Sequence, residues 1–244
     1  MSKPPRFFIS PRQVSGPDII VTNEDVRHIS TVLRMKTGDH LLLCDGRGIE
    51  YTVKISDINK SVIKTNILSQ TWREIRYPLI TLGQGLPKSD KMDLIVQKAT
   101  ELGAASIMAL VTERTIVKVK DEEKRSVRWR KICREAAMQS NRADIPIIEG
   151  IQAFGDYVRT LDPEPGTLLL LPWEEGTLPI KSVLRGRTGV KKIVVLIGPE
   201  GGFSAAEAAL AQEKGFHAVS LGPNILRTET AALAVLAMIG YQYS

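Results

Sequence analysis

Hydrophobic and polar residues alternate over short distances in the first part of the chain, up to about Trp72. Short alternating runs separated by turn residues predict β-strands. Asp45-Gly46-Arg47-Gly48 has the composition of a hairpin turn, and Asp25–Leu33 is typical of a helix. The strands predicted in this way are Phe7–Ile9, Ile19–Val21, Leu41–Cys44, Tyr51–Ile55 and Val62–Leu68. So many short strands close together favour a small barrel.

From Leu79 onward, short apolar runs alternate with longer amphipathic stretches. The stretches Asp90–Leu102 and Glu123–Arg142 keep their apolar residues on one helical face, which predicts helices. The predicted strands are Leu79–Leu82, Ile107–Val111, Ile145–Ile148, Leu168–Leu171, Ile193–Ile197 and Ala218–Leu221. Strands that alternate with helices predict an α/β domain with a mostly parallel sheet. We therefore expect two domains, residues 1–73 and 74–244.

Two of these predicted strands end in segments suited to a ligand, since ligands bind at the carboxyl ends of parallel strands. Ile193–Ile197 leads into Gly198-Pro199-Glu200-Gly201-Gly202, whose glycines allow tight turns and close approach of a ligand. Ser204 and Glu207 then form a capping box that opens the helix Ala205–Lys214. A plain strand-to-helix turn explains the cap but not a Pro-Glu pair between glycines, which favours a ligand-binding loop.

The second segment follows Ala218–Leu221 and precedes the apolar stretch Ala231–Ile239. Thr228 or Thr230 can cap a helix here, but a cap does not explain Arg227, because a cation beside a helix N-terminus is unfavourable. A helix that is apolar on every side needs burial on more than one face, which a subunit interface would supply.

Composition and charge limit the possible functions. The net charge of +6 and the pI near 9.3 fit an anionic partner such as RNA, although many basic proteins have no such partner. Residues 118–142 contain nine Lys and Arg against four Asp and Glu, and residues 1–77 contain twelve against eight. The first group is either a solvated helix face with internal ion pairs or a phosphate-binding surface.

Several sequence features argue against other classes of protein. The two cysteines are far apart, so neither a zinc site nor a disulfide framework is expected. The longest apolar run is too short for a membrane span and no signal segment is visible, so we expect a soluble, cytoplasmic protein. Phosphate-loop, nucleophile-elbow, dinucleotide and zinc-protease motifs do not occur, and three scattered histidines do not favour a metal cluster or a triad.

Five segments, in order along nearly the whole chain, resemble the RsmE family of the SPOUT superfamily, which methylates 16S ribosomal RNA. They are Arg6-Phe7-Phe8 with His28–Arg34, Lys88 with Asp93–Gly103, Glu135–Arg142, Ile197–Ser204, and Leu221–Ala231. The resemblance implies an N-terminal PUA-like β-barrel and a SPOUT-type parallel sheet with a C-terminal trefoil knot. It also implies S-adenosyl-L-methionine bound in that knot and a homodimer. The pattern alone would predict an ordinary, unknotted doubly wound sheet.

The reaction that the resemblance implies is methylation of N3 of a uridine in the decoding region of the small ribosomal subunit. The N3 proton must leave, so the site needs a general base or a cation that stabilises the uracil anion. The catalytic candidates are Arg227, Glu229 and Arg142. The cofactor-binding candidates are Leu171, Pro172, Gly198, Pro199, Glu200, Gly201, Gly202, Leu221, Gly222, Leu226, Arg227 and Thr230. The RNA-binding candidates are Arg6, Arg34, Lys88, Arg114, Arg125, Arg128 and Arg142.

Three alternatives stay open at this stage. The chain could methylate tRNA or another ribosomal nucleotide as a different SPOUT enzyme. It could be a ribosome-assembly factor that binds RNA without catalysis, although the intact glycines and Leu226–Thr230 disfavour this. It could also be a nucleotide-using enzyme of ordinary doubly wound fold, which the missing phosphate motifs disfavour.

Overall fold

A computed structural model describes residues 4–74, 78–117 and 121–243. Lys118 and Lys120 of the basic segment lie outside these described residues. The chain forms two compact units, and neither is one continuous stretch. The first contains Met1–Ile75 and Ala137–Ile145, and the second contains Arg76–Ala136 and Pro146–Ser244.

The first unit is built on a six-stranded, mostly antiparallel sheet. Its strands are β1 (Arg6–Phe8), β2 (Val14–Ser15), β3 (Asp18–Thr22), β4 (His40–Cys44), β5 (Ile49–Ile58) and β6 (Val62–Trp72). They lie in the order β1-β4-β5-β6-β3-β2, and β1 pairs with β4 in parallel. Apolar residues of β1 and of β3 to β6 share one core with Val26 and Ile29, which lie on a short helical segment. That segment is α1 (Glu24–Arg27) followed by one π-helical turn, His28–Val32.

The predicted hairpin turn between β4 and β5 is confirmed in detail. Asp45 Oδ1 accepts hydrogen bonds from the backbone NH groups of Arg47 at 2.8 Å and Ile49 at 2.9 Å. Gly46 and Gly48 have φ angles of +74° and +117°, which favour glycine. The side chain of Asp45 thus replaces part of the backbone pairing and fixes the register of β4 and β5.

The short segment Ala137–Ile145 packs with the first unit, although its sequence position suggested the second. Ala137 lies in a small buried cluster with Phe8 and Cys44. The backbone carbonyl of Arg142 accepts a hydrogen bond from Arg6 at 3.0 Å. Contacts between residues this far apart in the chain are not visible in local patterns, and the predicted division into 1–73 and 74–244 assigns this segment to the second domain.

The second unit contains the predicted parallel sheet, with seven strands. They are β7 (Leu79–Gly85), β8 (Ala104–Val111), β9 (Ile147–Ala153), β10 (Thr167–Pro172), β11 (Leu178–Pro179), β12 (Lys192–Ile197) and β13 (His217–Ser220). Their order is β11-β13-β10-β12-β7-β8-β9, and every pairing in it is parallel. β10 therefore lies between β12 and β13, so the segments that follow these three strands leave the same edge of the sheet side by side.

The remaining helices belong wholly or mainly to the second unit. They are α2 (Lys91–Glu101), α3 (Glu122–Gln139), α4 (Phe154–Thr160), α5 (Ile180–Leu184), α6 (Ala205–Glu213) and α7 (Thr228–Tyr243). The capping box of α6 is confirmed, because Ser204 Oγ accepts from the NH of Glu207 while the Glu207 carboxylate accepts from the NH of Ser204. In the part of the chain that the structure describes, no helix combines the length and apolar character needed to cross a membrane.

Helix α7 is apolar on most sides, as the sequence indicated, but only one face is buried. Ala232, Val235, Leu236 and Ile239 form that buried face. Tyr241, near the end of the helix, is 87% exposed. The isolated chain thus leaves an apolar part of α7 uncovered.

Candidate functional site

A cavity of about 480 Å³ lies at the carboxyl ends of β10, β12 and β13. Its walls are residues 172–174, 197–203 and 220–228, together with Lys91 and Ala231. The two glycine-containing segments singled out in the sequence therefore meet around one space, as the ends of neighbouring parallel strands must.

A buried threonine at the start of α7 ties the two segments together. Thr228 Oγ1 donates a hydrogen bond of 2.5 Å to the carbonyl of Gly198. The same oxygen accepts one of 2.8 Å from Gln84 Nε2, on strand β7 next to β12. Gln84 is fully buried and also donates to the carbonyl of Gly85 at 2.9 Å. The first residue of α7 is thus fixed to the loop after β12 and not merely capping its own helix.

Glycines in this loop, and Gly85 at the end of β7 beside it, are required because backbone segments of the protein pack closely on one another. A Cβ atom on Gly198 would lie 2.9 Å from the backbone carbon of Gly202, and one on Gly85 would lie 2.6 Å from Pro199. Gly202 has a φ angle of +68°, and its NH donates to the carbonyl of Pro199 at 2.9 Å. The sequence suggested that these glycines leave space for a ligand. The geometry adds that their missing side chains leave space for neighbouring backbone atoms.

Glu200 and Glu229 share one ammonium group, that of Lys91. Lys91 Nζ lies 3.1 Å from Glu200 Oε1 and 3.3 Å from Glu229 Oε2. The backbone NH of Lys88 adds hydrogen bonds to both Glu200 oxygens, at 3.1 and 3.2 Å. Burial raises the pKa of Glu200, but its own backbone NH, Lys91 and the NH of Lys88 outweigh that effect and lower it. The carboxylate of Glu200 is therefore charged and held in place.

Most cofactor candidates line the cavity. They are Pro172, Gly198, Pro199, Glu200, Gly201, Gly202, Leu221, Gly222, Leu226 and Arg227. Leu171 is fully buried in the core and Thr230 is exposed on α7, and neither lines the cavity. Arg227 is exposed and forms no ion pair with the described residues. Glu229, in contrast, is directed to Lys91.

The RNA candidates of the second unit occupy different environments. Arg114 donates a hydrogen bond of 2.6 Å to the carbonyl of Gly201, so its side chain lies against the glycine loop. Lys88 contacts Glu200 through its backbone. Arg128 is exposed while paired with Asp93, and Arg125 is partly exposed.

In the first unit, the expectation that Arg6 contacts RNA is not supported by its environment. The Arg6 side chain is 4% exposed and forms an ion pair with Glu50, which also pairs with Arg73. A buried guanidinium in such a pair has a structural role and no surface to offer a phosphate. Arg34 is exposed at a φ angle of +53°. Arg142 is 13% exposed and pairs with Asp144 at 2.5 Å.

Sequence reasoning missed four residues at this site. Gln84 gave no signal, because a glutamine inside an apolar strand has no pattern of its own. Lys91 lies at the start of α2, far along the sequence from both glycine segments. Trp173 and Glu174, which line the cavity, directly follow β10. The rule that strand ends carry ligands would have found these two if applied beyond Pro172.

Comparisons with known proteins agree with this architecture. Residues 74–240 match the RNA methyltransferase domain family, and residues 21–68 match the RNA methyltransferase PUA domain family. The ribosomal RNA small subunit methyltransferase E of Bacillus subtilis is 31% identical over 248 residues, covering 97% of this chain and 96% of the relative. That of Synechocystis is 32% identical over 235 residues, covering 96% of this chain and 76% of the relative.

A similar fold is found in a crystal structure of ribosomal RNA small subunit methyltransferase E from Neisseria gonorrhoeae bound to S-adenosyl methionine. The TM-score is 0.88 at 30% identity, with 99% of this chain and 98% of that chain covered. The family matches and these relatives span the sheet, the cavity segments and most of the first unit. The chain therefore belongs to the ribosomal RNA small subunit methyltransferase E (RsmE) family.

Proposed function

We propose that this chain methylates N3 of a uridine in the decoding region of 16S ribosomal RNA, using S-adenosyl-L-methionine held in the cavity. The observation that carries the proposal is the meeting of residues 197–203 and 220–228 around one space of about 480 Å³. Pockets of some 300–1,000 Å³ are typical of small-molecule sites. The S-adenosyl methionine in the Neisseria gonorrhoeae relative supports this choice of cofactor.

The cavity fits such a cofactor in its chemistry as well as its size. Main-chain groups of Gly198, Gly201, Leu221 and Leu226 would hold the adenosine part, and Trp173 adds an aromatic wall. When bound, the cofactor supplies a methyl group on a positively charged sulfur. We propose no metal, and the described residues contain no cluster of three or more His, Cys, Asp or Glu side chains that could hold one.

The protein must promote loss of the proton from uridine N3, because a neutral imide nitrogen has no nucleophilic lone pair. Arg227 is a cation at the cavity wall whose guanidinium has no carboxylate partner among the described residues. We assign it to stabilising negative charge on the uracil carbonyl oxygens as N3 loses its proton to solvent water. We keep Glu229 and Arg142 as further catalytic candidates for this deprotonation step. Their present partners, Lys91 and Asp144, favour positioning roles in the isolated chain.

RNA would be held mainly through phosphate contacts of basic side chains. Arg114, which lies against the glycine loop, and the exposed Arg34 and Arg128 are the leading candidates, and Lys88 and Arg125 are further ones. Since phosphate contacts release counterions, the affinity for RNA should fall steeply as salt rises.

We also propose the trefoil knot and the homodimer that the family resemblance implies. The insertion of β12 between β7 and β10 is compatible with a knotted path through the last strands. The exposed apolar side of α7, including Tyr241, would be covered by a second copy. Multi-angle light scattering would measure the mass of a dimer directly.

The substrate is tested by mapping the methylated nucleotide. The protein is incubated with labelled S-adenosyl-L-methionine and, separately, with unmodified small subunits, free 16S RNA and tRNA. Label should enter 16S RNA, and digestion should release 3-methyluridine identified by mass spectrometry. Label in tRNA, or in another nucleotide of 16S RNA, would favour another SPOUT-type activity. Cofactor-independent RNA binding without label would favour the assembly-factor alternative.

The proposed residues are tested by substitution. Arg227→Ala and Glu229→Ala should each lower methyl transfer by orders of magnitude while the protein stays folded. Arg227 lines the cavity, and Glu229, in the first turn of α7, pairs with the cavity residue Lys91. Arg185→Ala and Glu213→Ala change the same residue types at exposed positions away from the cavity and serve as controls. Near-normal turnover in both cavity variants would overturn the assignment.

A further inference from the structure

Glu174 is an exposed, charged residue at the wall of the cavity. It follows β10, the strand that lies between β12 and β13, and it lines the cavity. Unlike Glu200 and Glu229, which share Lys91, it forms no ion pair or side-chain hydrogen bond with any residue that the structure describes. A carboxylate in such a place is available to a ligand.

The backbone holds Glu174 at a fixed place. The NH of Trp173 donates to the carbonyl of Val219 on β13 at 3.1 Å. The NH of Gly176 donates to the carbonyl of Trp173 at 3.0 Å, which closes a turn with Glu174 and Glu175 at its centre. A Cβ atom on Gly176 would lie 2.8 Å from the backbone of Val219, so this turn packs closely on β13.

The Glu174 carboxylate lies against the loop after β12. A Cβ atom built on Gly202 would lie 2.6 Å from Glu174 Oε1 and 3.0 Å from Oε2, so the carboxylate lies directly against the glycine loop. The two oxygens therefore stand between the turn after β10 and the glycine loop, at the wall of the cavity. The turn fixes the backbone of Glu174, while its side chain is exposed and lies where a ligand in the cavity can reach it.

We propose that Glu174 accepts hydrogen bonds from the ribose hydroxyls of the cofactor and so selects an adenosine nucleoside with an intact diol. This inference rests on the proposed use of S-adenosyl-L-methionine. In parallel α/β sheets, an acidic side chain near a strand end commonly accepts from ribose hydroxyls, because two carboxylate oxygens match two neighbouring donors. The middle position of β10 places Glu174 between the two segments proposed to hold the adenosine.

The test measures binding of S-adenosylhomocysteine to the full-length protein by calorimetry, without RNA and without turnover. Glu174→Ala should weaken this binding about 10-fold to 100-fold, the effect of losing hydrogen bonds to a charged acceptor. The wild-type protein should bind the 2′,3′-dideoxy analogue as weakly as the variant binds S-adenosylhomocysteine. The variant should bind both compounds equally, because it lacks the carboxylate that accepts hydrogen bonds from the 2′ and 3′ hydroxyls.

Glu175→Ala is the matched control. It removes a neighbouring exposed carboxylate in the same turn that does not line the cavity, and it should bind both compounds like the wild-type protein. Thermal unfolding of both variants shows whether the turn is intact.

Two results would overturn the inference while leaving the proposed function standing. In the first, Glu174→Ala binds S-adenosylhomocysteine as tightly as the wild type does. In the second, the variant still discriminates against the dideoxy analogue but no longer against a des-amino analogue, which would assign Glu174 to the ammonium of the amino-acid part. Failure of the wild-type protein to bind S-adenosylhomocysteine at all would instead overturn the proposed function and this inference together.

Discussion

The hydrogen bonds of Thr228 predict a specific stability loss. Thr228→Val keeps the shape of a side chain that is 5% exposed but removes its hydroxyl. The carbonyl of Gly198 loses a 2.5 Å donor and Gln84 Nε2 loses a 2.8 Å acceptor. Each buried polar group left unpaired costs about 1–3 kcal/mol. Gln84 Nε2 already lies 3.5 Å from the Gly198 carbonyl and can recover part of this, so we expect a loss of about 2–4 kcal/mol.

Differential scanning calorimetry measures this loss, since about 1 kcal/mol lowers the melting temperature by roughly 2–4 °C in a domain of this size. The expected fall is about 4–16 °C. Thr230→Val is the matched control: the same substitution two residues later, at an exposed position, should change stability by less than about 0.5 kcal/mol. If Thr228→Val melts within about 2 °C of the wild type, the buried hydroxyl does not hold the two segments together.

Three further predictions concern a helix cap, a buried carboxylate and the shared ammonium group. Ser204→Ala should cost about 1 kcal/mol in urea unfolding, because the NH of Glu207 loses its cap; an unchanged midpoint would contradict this. Burial raises the pKa of Glu50, but hydrogen bonds from Arg73 and Arg6 outweigh it and lower the pKa from 4.5. Its contribution to stability is therefore present above pH 4.5 and lost as the pH falls through the lowered folded value, so Glu50→Gln should flatten the acid limb of the stability profile. Lys91→Met should weaken S-adenosylhomocysteine binding with little change in melting temperature, and Lys91→Arg should restore part of it; equal affinity in all three proteins would show that the shared ammonium is dispensable.

Local patterns were sufficient for most elements of the fold. Short apolar runs located the strands of the parallel sheet, and the S-x-x-E spacing located the start of α6, because both signals depend on neighbours a few residues apart. The predicted strand at Ile145–Ile148 is wrong in position, since the observed β9 runs from Ile147 to Ala153. Gly150 and Gln152 weaken the apolar pattern of that strand, and only its pairing with β8 shows that they belong to it.

Long-range contacts explain what the sequence did not show. The pairing of β1 with β4 in parallel and the packing of Ala137 beside Phe8 join residues widely separated in the chain. Arg6 illustrates the consequence for function: its charge suggested an RNA contact, whereas its partner Glu50 lies 44 residues away and accounts for its burial. A charged residue can be assigned to a ligand only when its protein partners are known.

Charged residues in and next to the cavity fall into two groups, those with a protein partner and those without an ion pair among the described residues. Glu200 and Glu229 are held by Lys91, and Arg114 is held by the carbonyl of Gly201, so these side chains fix the segments that carry them. Arg227 and Glu174 line the same cavity and form no ion pair with the described residues. When the positioning groups are already paired, less conformational entropy is lost on ligand binding. We therefore expect the unpaired charges to be the ones that contact the ligand. Arg227 and Glu174 are of opposite sign, which suits a substrate that becomes anionic on one side and a nucleoside with hydroxyl donors on the other.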